Sequence, residues 1–274
     1  MFNKPVLLII LILFTSFNRR ELTWVAIGDS ITYLNDHQNE TGNRITNGYM
    51  TRVTEKLHYI RYVNQGHNGW TSGGIADSID KLGLVQANIY SIFLGTNDWW
   101  QGRPLGRFAD YQNNTGNATV YGSFRIIINK LRALNPKAKI LLITPMQRTD
   151  FVSIGDANNN AYGSYKEKNG QSLEQFAGAV DSIGHAEGFD VLDLYHKKGM
   201  EINHLVKFKY LKDPQTGQYK RYLYPEYLKI PFHPGVDEYP YPPEAIDMTY
   251  DGLHPSDKGY AAISKALVAI MKKY

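Results

Sequence analysis

The stretch Trp24-Val-Ala-Ile-Gly-Asp-Ser30 joins a short apolar run to a polar turn. Val25 to Ile27 predicts a buried strand, because brief apolar runs bounded by turn residues are typical of parallel sheets. The turn that follows delivers the Ser30 hydroxyl to the carboxyl end of this strand, where open α/β sheets keep their functional groups. Ser30 is therefore a candidate nucleophile, but a serine needs a base and an anion-stabilising pocket before it can react.

The composition is that of an ordinary globular protein of 274 residues, 43% hydrophobic and 20% charged. The net charge is +4, and three of these charges come from Lys4, Arg19 and Arg20 near the amino terminus. The remainder contains no basic block of the kind that binds nucleic acid, so we expect no nucleic-acid partner. The absence of cysteine excludes disulfides, thiol catalysis and cysteine-bound metal.

Residues 1–20 have the pattern of a targeting segment. Lys4 precedes an apolar run from Val6 to Phe14, which polar Thr15 and Ser16 follow, as in a secretory signal. The run is shorter than the about 20 residues that a membrane span needs. We therefore expect a secreted, periplasmic or cell-envelope protein whose membrane contact, if the leader stays uncleaved, is through the leader alone. An apolar first strand is the less favoured alternative.

Beyond the leader, predicted strands and helices alternate five times along the chain. Predicted strands lie at 25–27, 59–63, 89–94, 139–144 and 190–194, and strong helical patterns cover 120–134 and 256–272. Such alternation favours a parallel sheet that is covered by helices on both faces. We expect one domain over 21–274.

Two long stretches interrupt this pattern. Residues 146–170 are rich in Asn, Gly, Ser and Tyr and predict an excursion over the surface. Residues 196–248 are rich in Tyr, Lys and Pro, and their aromatic content predicts an ordered insertion rather than a linker. The insertion is expected to shape the substrate pocket.

Polar groups follow three of the predicted strands, at Ser30, Gly69 and Asn97. A fourth cluster, Asp251-Gly-Leu-His254-Pro255, lies just before the last helix. An Asp and a His three residues apart can pair through one imidazole nitrogen, which leaves the other free to accept the serine proton. The order Ser, Asp, His occurs in known triads, but the chain has no Gly-x-Ser-x-Gly elbow, which disfavours the ordinary α/β-hydrolase fold.

Four motifs together resemble the blocks of the SGNH/GDSL hydrolase superfamily. They are Gly28-Asp29-Ser30, Asn64 to Thr71, Gly95-Thr-Asn-Asp98 and Asp251 to Pro255. Each block alone is weak evidence, whereas four in the family's order are specific. The resemblance implies a flavodoxin-like, three-layer α/β/α sandwich with a central five-stranded parallel sheet.

The same resemblance implies a role for five residues. Ser30 would be the nucleophile, His254 the general base and then acid, and Asp251 the group that orients the imidazole. The backbone N–H groups of Ser30 and Gly69 and the side-chain amide of Asn97 would form the oxyanion hole. The implied enzyme is a carboxylic ester hydrolase that works through an acyl-enzyme and needs no cofactor or metal.

The expected substrate is a small ester or an acylated carbohydrate, because export, aromatic surface and a polar insertion favour removal of acetyl groups from a sugar. Trp70, Trp99 and Trp100 directly follow the predicted oxyanion residues. They are interpreted either as rim contacts for substrate or as packing against the insertion.

Three other functions are compatible with parts of the sequence. A lysophospholipase or thioesterase would act on a lipid acyl chain, and a relative that has lost its chemistry would only bind carbohydrate. A phosphoesterase would instead hold a divalent metal, with these candidate ligands: Asp29, Asn97, Asp98, Asp251 and His254.

Overall fold

The computed structural model describes residues 20–274. The predicted leader, apart from its last residue, lies outside the described residues. Between residues 20 and 274, no helix is long and apolar enough to cross a bilayer.

Nine strands and eight α-helices form the described chain. The strands are β1 (Leu22–Gly28), β2 (Ile60–Gly66), β3 (Ile89–Phe93), β4 (Lys139–Ile143), β5 (Phe151–Val152), β6 (Asn160–Ala161), β7 (Asp190–Leu192), β8 (Lys209–Lys212) and β9 (Tyr219–Tyr222). The helices are α1 (Ser30–Tyr33), α2 (Tyr49–Thr54), α3 (Ser72–Ser78), α4 (Thr96–Trp100), α5 (Phe108–Gln112), α6 (Val120–Leu134), α7 (Leu173–Glu187) and α8 (Asp257–Met271). Short 3₁₀ turns cover Leu34–Asp36, Gln38–Thr41, Ile202–His204, Glu226–Lys229 and Pro243–Ala245.

The central sheet has five parallel strands in the order β2-β1-β3-β4-β7, which confirms the predicted architecture. β1 lies between β2 and β3, and Gly28 at its end pairs with Gly66 and Phe93. The carboxyl ends of these three strands therefore reach the same edge of the sheet. The polar turns that follow them meet at that edge.

Helices cover both faces of the sheet, which explains why β1 is apolar without interruption. Val25 and Ile27 pack against α3, α6 and α7, whereas Trp24 and Ala26 pack against α2 and α8. All four side chains are fully buried. A strand buried on both faces has no solvent side on which to place polar residues.

The structure moves some of the predicted boundaries. β2 extends to Gly66, so the first part of the motif from Asn64 to Thr71 is strand rather than turn. Asn64 tolerates this position because its amide donates to Asp36 (2.8 Å) and its oxygen accepts from the Gly66 N–H (2.8 Å). The predicted loop at 101–117 contains the one-turn helix α5, which is too short to show a helical period.

The two long polar stretches are ordered. β5 and β6 pair within 146–170, and β8 and β9 form a hairpin within the insertion at 196–248. The insertion has its own apolar cluster, which includes Leu211, Tyr227 and Tyr241 and also takes in Val152 from β5. The insertion therefore packs on the 146–170 segment.

Close packing at Gly66 fixes the turn that carries Ser30. A Cβ at Gly66 would lie 2.1 Å from the backbone nitrogen of Tyr33, whereas a Cβ at Gly178 in α7 would meet nothing within 4 Å. We expect Gly66→Ala to lower the free energy of unfolding by roughly 1–3 kcal/mol. The matched variant Gly178→Ala should raise it by about 0.5–1 kcal/mol, because alanine favours a helix interior. Urea denaturation of both variants measures these changes, and equal changes would contradict the packing argument.

Candidate active site

Ser30 is the first residue of α1, just after the carboxyl end of β1. Asp29 caps this short helix, with its Oδ1 accepting a hydrogen bond from the Ile31 N–H at 3.0 Å. The turn is tight, because a Cβ at Gly28 would lie 2.0 Å from Thr32 Oγ1. The position of the Ser30 hydroxyl is therefore fixed by the strand and by the cap.

Asp251 and His254 form a second tight turn, just before α8. Asp251 Oδ1 accepts from the N–H groups of Leu253 (3.0 Å) and His254 (2.7 Å), and its Oδ2 lies 2.7 Å from His254 Nδ1. Gly252 has φ +89°, and its carbonyl accepts from the Thr149 N–H at 3.0 Å. The carboxylate therefore holds both the backbone of the turn and the imidazole ring.

His254 Nε2 lies 2.8 Å from Ser30 Oγ, so the structure brings the three predicted residues into one hydrogen-bonded chain. Because the Asp251 carboxylate accepts from Nδ1–H, Nε2 is left to accept the serine proton. Phe151 and Tyr250 pack against the imidazole, with ring centroids 5.4 and 5.9 Å away. These rings restrict the orientation of His254.

Gly69 and Asn97 lie with Ser30 and His254 around one cavity of about 500 Å³. Gly69 has a φ angle of +72°, which favours glycine, although a Cβ at this position would meet no atom within 4 Å. Asn97 Nδ2 donates to the Trp70 carbonyl at 3.0 Å, which orients the amide and leaves its second hydrogen for another acceptor. The geometry is compatible with these groups donating to an oxyanion beside Ser30.

Asp98 has a structural environment. It is fully buried and accepts from the Ser72 N–H (2.8 Å) and Oγ (2.7 Å), while Arg103 Nε lies 3.3 Å from its Oδ1. Burial raises the pKa of Asp98, although these donors oppose the shift. Among residues 20–274, no three His, Cys, Asp or Glu side chains are placed to hold a metal ion. The carboxylates of the phosphoesterase interpretation are engaged in other contacts.

The three tryptophans have different surroundings. Trp99 is fully buried and donates from Nε1 to the Gln171 carbonyl at 3.0 Å, so its interpretation as a rim contact is wrong. Trp70 stacks on His67 with ring centroids 4.5 Å apart and does not line the cavity. Trp100 does line it.

Part of the cavity wall comes from the 146–170 segment. Its contributing side chains are Arg148, Phe151, Ser153, Ile154, Asn159 and Ala161. The described insertion residues do not line this cavity, so the insertion acts on its shape through contacts with the wall rather than by direct lining. They lie behind the wall, where the Tyr239 and Tyr241 hydroxyls donate to the carbonyls of Val152 and Asp150.

Arg148 is a cavity residue that the sequence analysis missed. It is 1% exposed, and its Nε and Nη2 have no hydrogen-bond partner among the described residues. Its guanidinium lies 5.7 Å from the ring centroids of Trp99 and Trp100. Burial lowers its pKa to about 10, so it is charged at neutral pH. Its place five residues after β4 puts it at the functional edge of the sheet, which is the signal that could have found it.

Asp29 is also buried, at 2% exposure. Burial raises its pKa to about 6, while the Ile31 N–H and the positive form of His254 oppose this shift. At neutral pH the native protein therefore holds a buried carboxylate in the turn that carries Ser30.

A sequence profile of the GDSL-like lipase/acylhydrolase family matches residues 26–262. The chain belongs to this family. The resemblance found in the four motifs is thus confirmed over most of the chain. Among curated proteins there is no significant match to this chain.

Solved structures extend the comparison. A possible lipase from Chitinophaga pinensis DSM 2588 is 64% identical and superposes with a TM-score of 0.91, over 92% of this chain and 98% of that chain. A Lactobacillus plantarum protein is 19% identical, with a TM-score of 0.63 over 93% and 99% of the two chains. The acetyl xylan esterase AlAXEase is 17% identical, with a TM-score of 0.55 over 91% and 100%. The last two likenesses show a shared fold alone.

The raised pKa of Asp29 predicts how stability depends on pH. The native state keeps a proton on Asp29 up to about pH 6, whereas the unfolded chain loses it near pH 3.8. The stabilisation is therefore complete below the unfolded pKa and is lost as pH rises through the native pKa. Asp29→Asn keeps the capping oxygen but cannot ionise. The free energy of unfolding of this variant minus that of wild type should therefore rise by on the order of 3 kcal/mol between pH 4 and pH 7.

Urea denaturation at several pH values measures this difference. Asp29→Ala is the matched control, because it removes the same charge and also the cap. It should show the same pH dependence, displaced by about 1 kcal/mol towards lower stability. A difference between Asp29→Asn and wild type that stays constant with pH would refute the assignment.

Proposed function

We propose that this protein is a serine esterase in which Ser30, His254 and Asp251 form the catalytic triad. The observation that carries the proposal is the continuous hydrogen-bond chain from Ser30 Oγ to His254 Nε2 (2.8 Å) and from His254 Nδ1 to Asp251 Oδ2 (2.7 Å). It supplies the base that the serine lacks and the carboxylate that orients the base. Membership of a lipase and acylhydrolase family supports the same chemistry.

In the first half of the reaction, Ser30 Oγ attacks the ester carbonyl carbon while its proton moves to His254 Nε2. The carbonyl oxygen becomes an oxyanion, which the N–H groups of Ser30 and Gly69 and the Asn97 amide stabilise. Loss of one such donor typically costs about 3–4 kcal/mol of transition-state stabilisation. The intermediate collapses when the C–O bond to the alcohol breaks and His254 returns its proton to the leaving oxygen.

In the second half, water attacks the acyl-enzyme. His254 accepts a proton from the water, and a second oxyanion forms in the same pocket. The bond to Ser30 Oγ then breaks, the serine recovers its proton, and the carboxylic acid leaves. Asp251 stays ionised throughout and stabilises the imidazolium that forms in each half.

We propose a carbohydrate acetyl ester as the substrate. The cavity beside Ser30 has about 500 Å³, and its lining alternates apolar groups with polar ones. A short acyl group and a hydroxyl-rich alcohol fit such a lining better than a long alkyl chain does. A protein that shares the fold, AlAXEase, is an acetyl xylan esterase, so this scaffold can accommodate such a reaction.

Two alternatives stay open to experiment. The 64% identical protein is described as a possible lipase, which favours testing lipid acyl chains. A carbohydrate-binding relative without catalysis is the other alternative. We also propose that residues 21–274 form one catalytic domain and that the apolar leader directs it to the cell envelope or beyond.

The triad predicts covalent labelling of one serine. Wild-type protein should react with a fluorophosphonate probe at Ser30, and Ser30→Ala should lose both labelling and p-nitrophenyl acetate hydrolysis by roughly 10⁴-fold or more. Ser153→Ala removes another cavity serine and is the matched control, which should still label. Mass spectrometry locates the adduct. A folded wild-type protein that fails to label would support the non-catalytic alternative.

The substrate class predicts a preference for short acyl groups. Among p-nitrophenyl esters of increasing chain length, kcat/KM should be highest for acetate, and acetylated xylo-oligosaccharides should release acetate. A preference for octanoate, with no acetate released from the sugars, would overturn the carbohydrate assignment and favour the lipid alternative.

A further inference from the structure

A second cavity of about 610 Å³ lies next to the one that contains Ser30. The two cavities share three wall residues, Trp100, Phe151 and Ala161. Phe151 and Ala161 are paired partners in the small sheet of β5 and β6. We call this small sheet the partition, because its residues line both cavities. A ligand that extends from the first cavity across the partition enters the second.

The second cavity is where the insertion contributes side chains. Lys209, Leu211, Tyr241 and residues 228–232 form one side of it, and the 150–166 segment forms the other. Its volume is within the range of ordinary small-molecule sites. The insertion therefore builds a second site beside the first, although it does not line the first.

The lining contains several aromatic rings, and Lys166 Nζ lies over two of them, 5.3 Å from the ring centroid of Tyr162 and 5.7 Å from that of Tyr165. Tyr162, Tyr165 and Phe232 line the second cavity and are half-buried, and Trp100 meets Tyr162 edge-on with centroids 4.7 Å apart. A sugar ring has an apolar C–H face and polar edges, which match an aromatic face surrounded by polar groups. Among the three half-buried rings, Phe232 has no described cation over it, so Phe232 offers such a face.

The charges in the lining are unbalanced. Asp150 is its single carboxylate, and it is already paired with Lys209 Nζ and accepts from the Tyr165 hydroxyl and the Gly163 N–H. Lys166 and Lys229 also line the cavity and have no carboxylate within 4.0 Å among the described residues. Both lysines are exposed to solvent, so the cavity keeps two positive charges that have no carboxylate partner among the described residues.

A third lysine lies at the shared wall. Lys168 Nζ is 4.5 Å from the ring centroid of Trp100 and 5.6 Å from that of Tyr162. A cation over an aromatic face is attracted to the ring, so Lys168 is held at this wall and covers part of the Trp100 face. The positive charge therefore extends from the second cavity towards the partition.

We infer that the second cavity binds a carboxylate-bearing sugar residue adjacent to the acylated one, so that the substrate is an acidic oligosaccharide or polysaccharide. This inference rests on the proposed esterase function and specifies its substrate. A neutral sugar would use the aromatic rings but leave the lysines without a counter-charge. A lipid chain would cover the lysines without supplying a counter-charge.

Binding can be measured without catalysis. Full-length Ser30→Ala protein is titrated calorimetrically with trigalacturonate and with neutral xylotriose. Trigalacturonate should bind at least tenfold more tightly, and the difference should shrink at high salt, because exposed charges are screened. In a second background that adds Lys166→Glu and Lys229→Glu, the selectivity for trigalacturonate should fall at least tenfold.

The matched control is Lys81→Glu with Lys137→Glu, which makes the same charge change at exposed lysines outside both cavities. It should keep the selectivity of the Ser30→Ala parent. If the Glu variant does not fold, Lys166→Gln with Lys229→Gln tests the same cavity and should lower the selectivity severalfold. Equal binding of the two trisaccharides, or selectivity that survives the cavity variants, would overturn the inference. Failure of wild-type ester hydrolysis would instead overturn the proposed function, and the titrations would still report on the cavity.

Discussion

The hydrogen bond between Ser30 Oγ and His254 Nε2 joins groups that lie 224 residues apart in the chain. It forms only because β1 lies inside the parallel sheet, between β2 and β3, and the turn before α8 lies near the carboxyl end of that strand. Two backbone contacts fix the turn, from the Thr149 N–H to Gly252 and from the Val152 N–H to Asp251. Since hydrogen-bond geometry tolerates only a few tenths of an ångström, the sheet and both turns must be correctly placed together.

Around this bond the protein buries several charges, each compensated differently. Asp251 accepts from the backbone and imidazole of its own turn, and Asp98 accepts from Ser72 beside Arg103. Arg148 is attracted to Asp251, Asp150 and Asp29 without a hydrogen bond from its Nε or Nη2. Buried charges without full hydrogen bonding are costly, and they concentrate where a protein does chemistry or binds polar ligands.

The 146–170 segment and the insertion at 196–248 contribute differently to the two cavities. The segment supplies part of the wall of the Ser30 cavity, while Tyr239, Tyr241 and Lys209 of the insertion bind that segment at Val152 and Asp150. The same packing leaves a second cavity on the far side of the partition. A short local sheet can thus separate the place where an ester reacts from the place where the rest of a substrate lies.

The sequence by itself determined the sheet, the helices α6 and α8 and the family, because apolar periodicity and four short motifs are local signals. It also named the residues of the hydrogen-bond chain. Only the tertiary structure decided that Trp99 is a core residue while Trp100 faces the cavity, and that Arg148 belongs to the site. It alone showed that the insertion stands behind the first cavity and lines the second. These outcomes depend on contacts between segments far apart in the chain, and no local pattern of residues encodes such contacts.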